Sequence, residues 1–429
     1  MIGGEKQTFF RQSVWMIVAN VATGAFMMAS QMVASSMPTG EYGVFVTLLR
    51  FFTVLAIPAA GLQTVLAQLT VEAVTDKGQR NLSSALRKVL SITFIVWLVF
   101  LVIVLGLQDS ILTTLKIKNP LALWIMMVLV LSALWLPIVQ GVIHGRQNFR
   151  TLGLSMIGNG FGRCAGIALM VIALGFHAAG AMAGIWIGVT VSLLIAIWPV
   201  RGILFGPKGD SDHREWSGRI WPLTFGTGSI LFMMNLDMLI VQSHFPKDLT
   251  AYYAASAMIG LAVMMFTTPL AAVMFPKIAF SRATAQKTGA LYLALFGTVS
   301  LVGIAALFCT LWPEFPLRLI YFRSPQFLKS AVLVPWFAWA VVPLTIANVM
   351  VNNLLASGRF KIVPWLVAIA AGYALTLVIY LRNNPSIEPF LAFRNIIILL
   401  GCFGTLLLGI ALVFTRNPSP VPPTLPPRS

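Results

Sequence analysis

The chain has 429 residues, of which 58% are hydrophobic and only 10% charged, with 29 Lys and Arg against 12 Asp and Glu. Its mean hydropathy is +0.89, where a soluble domain carries about 25% charged residues. This excludes a soluble globular protein and makes the net charge of +17 a matter of membrane topology rather than of nucleic-acid binding.

Apolar runs of bilayer-spanning length recur throughout, about 20 residues being enough for a helix to cross. In chain order they predict helices at approximately 13–36, 42–70, 86–107, 121–143, 151–174 and 178–199, then 219–244, 251–280, 288–312, 330–356, 361–381 and 392–414. The reading is an all-α polytopic membrane protein of about 12 transmembrane helices. Residues 1–12 are polar and the first apolar run is too long for a signal-peptide core, so no cleaved leader is expected.

The first helix carries Asn20, Gly24, Met27 and Gln31 on one face. The second carries Gly43, Thr47, Arg50, Thr53, Ile57, Gly61, Thr64 and Gln68 at helical spacing, opposite a face of Phe, Leu, Val and Ala. Such a polar face in lipid must look at other helices or at water. At about 1.5 Å rise per residue, Arg50 lies roughly 12 Å in from Tyr42. The fifth helix repeats the device with Thr151, Ser155, Asn159, Arg163 and Gly166, and Arg163 lies roughly 20 Å from Arg150. The tenth offers Thr345, Asn348 and Asn352. The amides serve as helix glue in one reading and as cavity lining in the other.

A guanidinium keeps its charge in a protein, and placing one at this depth costs about 2.5–3.5 kcal/mol on insertion scales. For Arg50 two readings stand: snorkelling to the near interface, or facing a wet cavity. For Arg163 the alternatives are a structural bond, to helix-end carbonyls or to Asp237, and a cavity role. Asp237 is the single acidic residue deep in a span. Two cations to one anion point to an anionic passenger, and the arginine fork suits phosphate oxygens. The candidate substrate-binding residues are therefore Arg50, Arg163, Thr53, Asn159, Gln31 and Asn20, with Asp237 a candidate for ion coupling.

The stretch 206–218 is the most polar internal segment. It sets the expected organisation: an N-terminal lobe over 1–200, a cytoplasmic linker over 201–218, a C-terminal lobe over 219–415 and a disordered Pro-rich tail over 416–429. The halves resemble one another. Tyr42 falls beside Tyr252, mid-helix Pro58 within one residue of Pro269, and "HGRQNF" (144–149) beside "SGRFK" (357–361). Six helices per half make the repeats parallel, related by an axis along the membrane normal, with a site expected between them near the midplane. Proline interrupts helical hydrogen bonding, so Pro58, Pro137, Pro269 and Pro343 are candidate hinges. With the N-terminus in the cytoplasm, 19 basic residues fall on that side and 8 on the other. The positive-inside rule then places both termini in the cytoplasm. The three cysteines and four histidines show no metal-ligand or disulfide spacing, so neither metal nor cofactor is expected.

The segment "LFMMNLDMLIVQSHFPKDLTAYYAASAMI" followed by "MFPKI", together with "MVASSMPTGEYGVFVTL", resembles the polysaccharide transporter family. That family, which includes the O-antigen flippases, belongs to the multidrug/oligosaccharidyl-lipid/polysaccharide (MOP) exporter superfamily. The resemblance implies a MATE-like bundle of two six-helix lobes in the cytoplasmic membrane. It also implies alternating access, an oligosaccharide linked to polyprenyl pyrophosphate as substrate, and neighbours among membrane lipids, polysaccharide polymerases or glycosyltransferases. Arg50 and Arg163 come from depth and periodicity, not from a family motif. A cation-coupled multidrug exporter of the same superfamily is the alternative, and it would want several cavity carboxylates where one is found. A membrane glycosyltransferase or polymerase is the second, and it needs paired carboxylates. The acids of the opposite-side loops, Glu41, Asp109, Asp248, Glu314 and Glu388, are well separated. A channel or a purely structural protein is the third.

Overall fold

A computed structural model describes residues 2–73, 75–207, 209, 213–265, 290–356 and 358–416. Among them there is no strand. The first half holds α1 (Ile2–Ala34), α2 (Thr39–Leu55), α3 (Ile57–Glu72), α4 (Asp76–Gly106), the short α5 (Gln108–Thr114), α6 (Pro120–Gly145), α7 (Phe149–Ile167) and α8 (His177–Leu204). The second holds α9 (His213–His244), α10 (Lys247–Met265), α11 (Ala290–Leu311), the short α12 (Glu314–Ile320), α13 (Val334–Ala356), α14 (Val363–Asn383) and α15 (Pro389–Arg416).

Nine helices of the described residues are long and apolar enough to cross a membrane, and two bent pairs, α2 with α3 and α11 with α12, bring the number to eleven. The eighth expected helix is described only as far as Met265. The chain is thus a multi-pass, all-helical membrane protein built as two lobes, consistent with twelve passes. Successive passes alternate in direction, so the loops gather at two ends. One carries Tyr42, Lys116 and Tyr321. The other carries Gln79, Arg146 and the inter-lobe linker.

The N-terminal lobe packs through small residues, which let backbones approach closely. A Cβ on Gly166 would sit 2.8 Å from Cα of Gly184, and one on Gly162 would sit 2.9 Å from Cα of Gly188. Ser155 and Ser192 lock the same pair, α7 and α8, through hydroxyls 2.7 Å apart. The Trp15 indole donates to the carbonyl of Phe149 at 3.1 Å and fastens α1 to the start of α7.

Several boundaries depart from the sequence reading. The second pass is two helices meeting at 44°. Pro58 stands in the first turn of α3, where a missing N–H costs no helical bond. The break therefore falls at Ala56, just before the proline. Pro137 and Pro343 lie inside α6 and α13, which continue through them. Pro269 and the 417–429 tail lie outside the described residues. The linker shortens, because α8 runs to Leu204 and α9 starts at His213. α4 starts ten residues before the predicted position, at Asp76, because Thr75 caps it by accepting from the Gly78 N–H at 3.1 Å. α7 passes into a π-helical turn at Ala168–Ala173. The repeat register also sharpens. Tyr42 and Tyr253 are both 0% exposed while Tyr252 is half-buried. Matching Tyr42 to Tyr253 also brings Pro58 onto Pro269 without a gap.

Candidate functional site

The lobes meet where α2 and α3 run antiparallel to α9, with α10 alongside. The small residues of the second-pass stripe make this seam possible. A Cβ on Gly43 would lie 2.9 Å from the carbonyl oxygen of Lys247, and one on Gly61 would lie 2.5 Å from Oγ1 of Thr224. The polar stripe of the second pass is therefore, in its upper two-thirds, a packing face against the other lobe rather than a cavity wall. Its exposed part is Thr64 and Gln68.

Arg50 sits in this seam and is 4% exposed. Its Nη1 donates to Oδ1 of Asn235 on α9 at 3.3 Å, and its Nε is buried with no hydrogen-bond partner among the described residues. Two residues further along α9, Asp237 is 3% exposed. Its carboxylate accepts from the Tyr253 hydroxyl on α10 at 2.6 Å and from the Met238 N–H at 2.8 Å. Arg50 and Asp237 are within electrostatic range of each other but share neither a hydrogen bond nor a close ion pair. The buried hydroxyl of Tyr373 on α14 has no partner among the described residues and lies within the field of Asp237.

Toward the Tyr42 end, the seam is closed by a polar and aromatic cluster. The hydroxyls of Tyr42 and Tyr321 are 2.7 Å apart, and both rings pack on Phe327. Gln31 accepts from the Tyr42 hydroxyl at 3.4 Å. The Ser324 hydroxyl donates to the carbonyl of Ser35 at 2.6 Å. Lys116, in the loop after α5, sends its ammonium to the carbonyls of Gln242, Ser243 and Phe245 at 3.0, 3.3 and 2.5 Å. Those carbonyls end α9, where the helix dipole favours a cation. Gln242 returns a bond to the carbonyl of Leu115 at 2.9 Å.

The structure thus brings Arg50, Asp237 and Gln31 to one seam. Thr53, one turn along the α2 stripe from Arg50, is half-buried and its hydroxyl turns back to the Leu49 carbonyl, while the Asn20 amide donates to Met16 of its own helix. Asn159 and Arg163 lie on α7 against Gly188 of α8. Arg163 makes no hydrogen bond among the described residues, its Nε being buried and unpartnered, and its environment holds no acidic group. A bond from Arg163 to Asp237, one of the readings above, is not formed.

Sequence reasoning missed Asn235, Tyr253, Tyr321, Tyr373 and Lys116. A signal for Tyr253 and Tyr373 was present. The chain has only seven tyrosines, and four of them, Tyr42, Tyr253, Tyr321 and Tyr373, are among its largest fully buried side chains. A buried hydroxyl usually finds a partner, so Tyr42, Tyr253 and Tyr373, scarce tyrosines inside apolar runs, were candidates for polar junctions, while Tyr321 lies between the predicted runs and carried no such signal.

No protein-family profile matches the chain, and no curated protein matches it in sequence. Solved structures do match in fold. One is an inward-facing multidrug-resistance MATE family transporter of the MOP superfamily, 11% identical, with a TM-score of 0.71 over 94% of this chain and 97% of that one. A second is the eukaryotic MATE transporter AtDTX14, 12% identical, TM-score 0.69, over 94% and 96%. A third is a MOP superfamily transporter from Pyrococcus furiosus, described as having a binding pocket of reversed polarity, 15% identical, TM-score 0.62, over 95% and 94%. The chain therefore has the two-lobe fold of MATE transporters.

Proposed function

We propose that the chain is a MOP-type transporter that exports small amphipathic molecules by alternating access between its two lobes. The observation that carries this reading is the seam. It is polar, contains Arg50 and Asp237, and is bolted at the Tyr42 end by contacts that join the lobes but do not hold either lobe together. Opposite charges buried at a sliding interface can be re-paired in a second conformation, whereas a static membrane scaffold gains nothing from their desolvation. Asp237 is the group proposed to couple transport to a cation gradient, since it is the one deep carboxylate and its partner is a phenol rather than an arginine. The likeness to multidrug MATE structures supports small-molecule export over transfer of a lipid-linked oligosaccharide. We place the linker end in the cytoplasm of a cell membrane, on the distribution of basic residues.

A specific observation keeps the second substrate class in play. Among the described residues Arg163 is an intramembrane cation with no counter-charge, and Arg50 and Arg163 outnumber Asp237. Passage of a pyrophosphate-linked oligosaccharide, with a polymerase or glycosyltransferase as neighbour, would use both arginines. Reconstitution into proteoliposomes separates the readings. Gradient-driven movement of fluorescent organic amphiphiles, lost in Asp237→Asn, is the expected result. If only a labelled polyprenyl-pyrophosphate glycan is translocated, and Arg163→Gln abolishes this at equal protein abundance, the second class replaces the first. Movement of neither would overturn the transporter reading.

A further inference from the structure

At the linker end of the N-terminal lobe, a cavity of about 300 Å³ opens between the first turns of α4, the turn from α6 to α7 and the last turn of α8. Its walls include Asp76, Gln79, Arg80, Ser83, Arg146 and Gly206. We infer that this cavity binds the phosphodiester headgroup of an anionic membrane lipid. The inference rests on the chain spanning a membrane and does not depend on what it transports.

The walls are tied in place while, among the described residues, one of the cations has no partner and a second has only a long one. Ser83 donates to the carbonyl of Ile203 at 2.7 Å. Arg87 sends Nη2 to the carbonyl of Gly206 at 2.8 Å and to the Ser83 hydroxyl at 2.9 Å. The Gln79 amide donates to the Ala73 carbonyl at 2.6 Å. Arg87 is thus spent on structure. Arg80 makes no hydrogen bond or ion pair among the described residues. Arg146 makes one long bond, Nη2 to Oε1 of Gln79 at 3.4 Å. Two guanidiniums facing one preformed space are suited to bidentate capture of phosphate oxygens, and the amino end of α4, a helix of 31 residues, adds its partial positive charge. Among the described lining residues Asp76 is the one carboxylate; set against two guanidiniums it leaves that lining net positive, and it can accept from a headgroup hydroxyl.

The flanks of the cavity select a lipid over a free phosphate. Above it, α4 turns Ile92, Ile95, Leu98 and Val99 outward, all exposed. On α8, Trp198 is 69% exposed and Phe205 at its end is 80% exposed, with the Arg201 guanidinium 4.1 Å from the Trp198 ring. An apolar wall rising directly from a basic pocket at the membrane boundary matches a headgroup below and acyl chains alongside. Basic pockets between membrane helices are where anionic lipid headgroups lodge.

The test is native mass spectrometry and thermal unfolding of the purified chain in detergent. Phosphatidylglycerol, phosphatidylcholine and soluble glycerol 3-phosphate are added separately. Phosphatidylglycerol should be retained and stabilise the protein more than phosphatidylcholine. Arg80→Gln with Arg146→Gln should reduce its retention by about tenfold, while Lys88→Gln, an exposed cation elsewhere on α4, should not. In the wild type, the preference for the anionic lipid should fade between about 0.1 M and about 1 M salt, as the screening length falls from about 10 Å to about 3 Å. This second arm stands even if the double variant does not fold. Equal retention by the double variant, or a preference indifferent to salt, overturns the site. Binding of glycerol 3-phosphate as strong as that of the lipid overturns the lipid and leaves a site for a soluble phosphate.

Discussion

The hydroxyl of Tyr42 lies 2.7 Å from that of Tyr321, which comes from the other lobe and 279 residues away. Both rings are essentially inaccessible, so the Tyr321 hydroxyl depends on Tyr42 for its hydrogen bond, while the Tyr42 hydroxyl also has a longer contact to Gln31 at 3.4 Å. Removing one partner of a buried pair costs about 1–3 kcal/mol, whereas replacing both by apolar groups of the same shape is close to neutral. Tyr42→Phe should therefore favour opening at this end, read as faster thiol labelling of Ser35→Cys in a Cys-free background. Tyr42→Phe with Tyr321→Phe should return labelling toward the starting rate. Additive effects of the two changes would show that the phenols do not act as a pair.

Lys116 ties the same end by a different device. Its ammonium reaches three carbonyls at the close of α9, a cation at a helix C-terminus being worth about 0.3–2 kcal/mol. Lys116→Ala should raise the open population at the Tyr42 end by up to about tenfold, measured by spin-label distances between the loop after α5 and the end of α9. Lys116→Arg should keep the charge and recover part of the closure. An unchanged distance distribution in Lys116→Ala would make the contact incidental.

For Arg50 and Asp237, the buried seam sets the expectation. Breaking a directly paired buried salt bridge from one side costs about 3–5 kcal/mol, because the remaining charge stays desolvated, and Arg50 and Asp237, buried nearby without direct contact, should lose less than this. Arg50→Ala should lower the thermal midpoint in detergent, and Asp237→Asn should lower it as well. Arg50→Met with Asp237→Asn should recover most of the loss without restoring gradient-driven transport. Full stability of both single variants would show that the two residues do not share an electrostatic balance.

Gly61 tests the seam through sterics. A Cβ there would press on Thr224, while one on Gly24 would meet nothing within 4 Å. Gly61→Val should cost about 1–3 kcal/mol by overpacking, visible in the thermal midpoint. Gly24→Ala should be neutral or slightly stabilising, since alanine is the better helix former. Equal midpoints would mean that α3 and α9 are not in close contact in solution.

Composition and periodicity alone determined that this chain folds as a multi-pass, all-helical membrane protein, and they singled out the few charges that lie deep in its spans. These follow from local facts. An apolar run of bilayer length has one stable fate, and a charge inside it is costly wherever its neighbours lie. Arg50 and Asp237 were legible for that reason. Helical spacing shows that Gly43, Arg50 and Gly61 share a face, yet a stripe of small and polar residues serves a wet cavity and a tight helix seam equally well. The choice between them depended on what comes to lie opposite. Lys247 and Thr224 fill the space beside Gly43 and Gly61, and Asn235, 185 residues from Arg50, meets the guanidinium. Only the tertiary structure decided that, because the decisive partners are brought together by lobe packing across distances over which no sequence pattern carries a period.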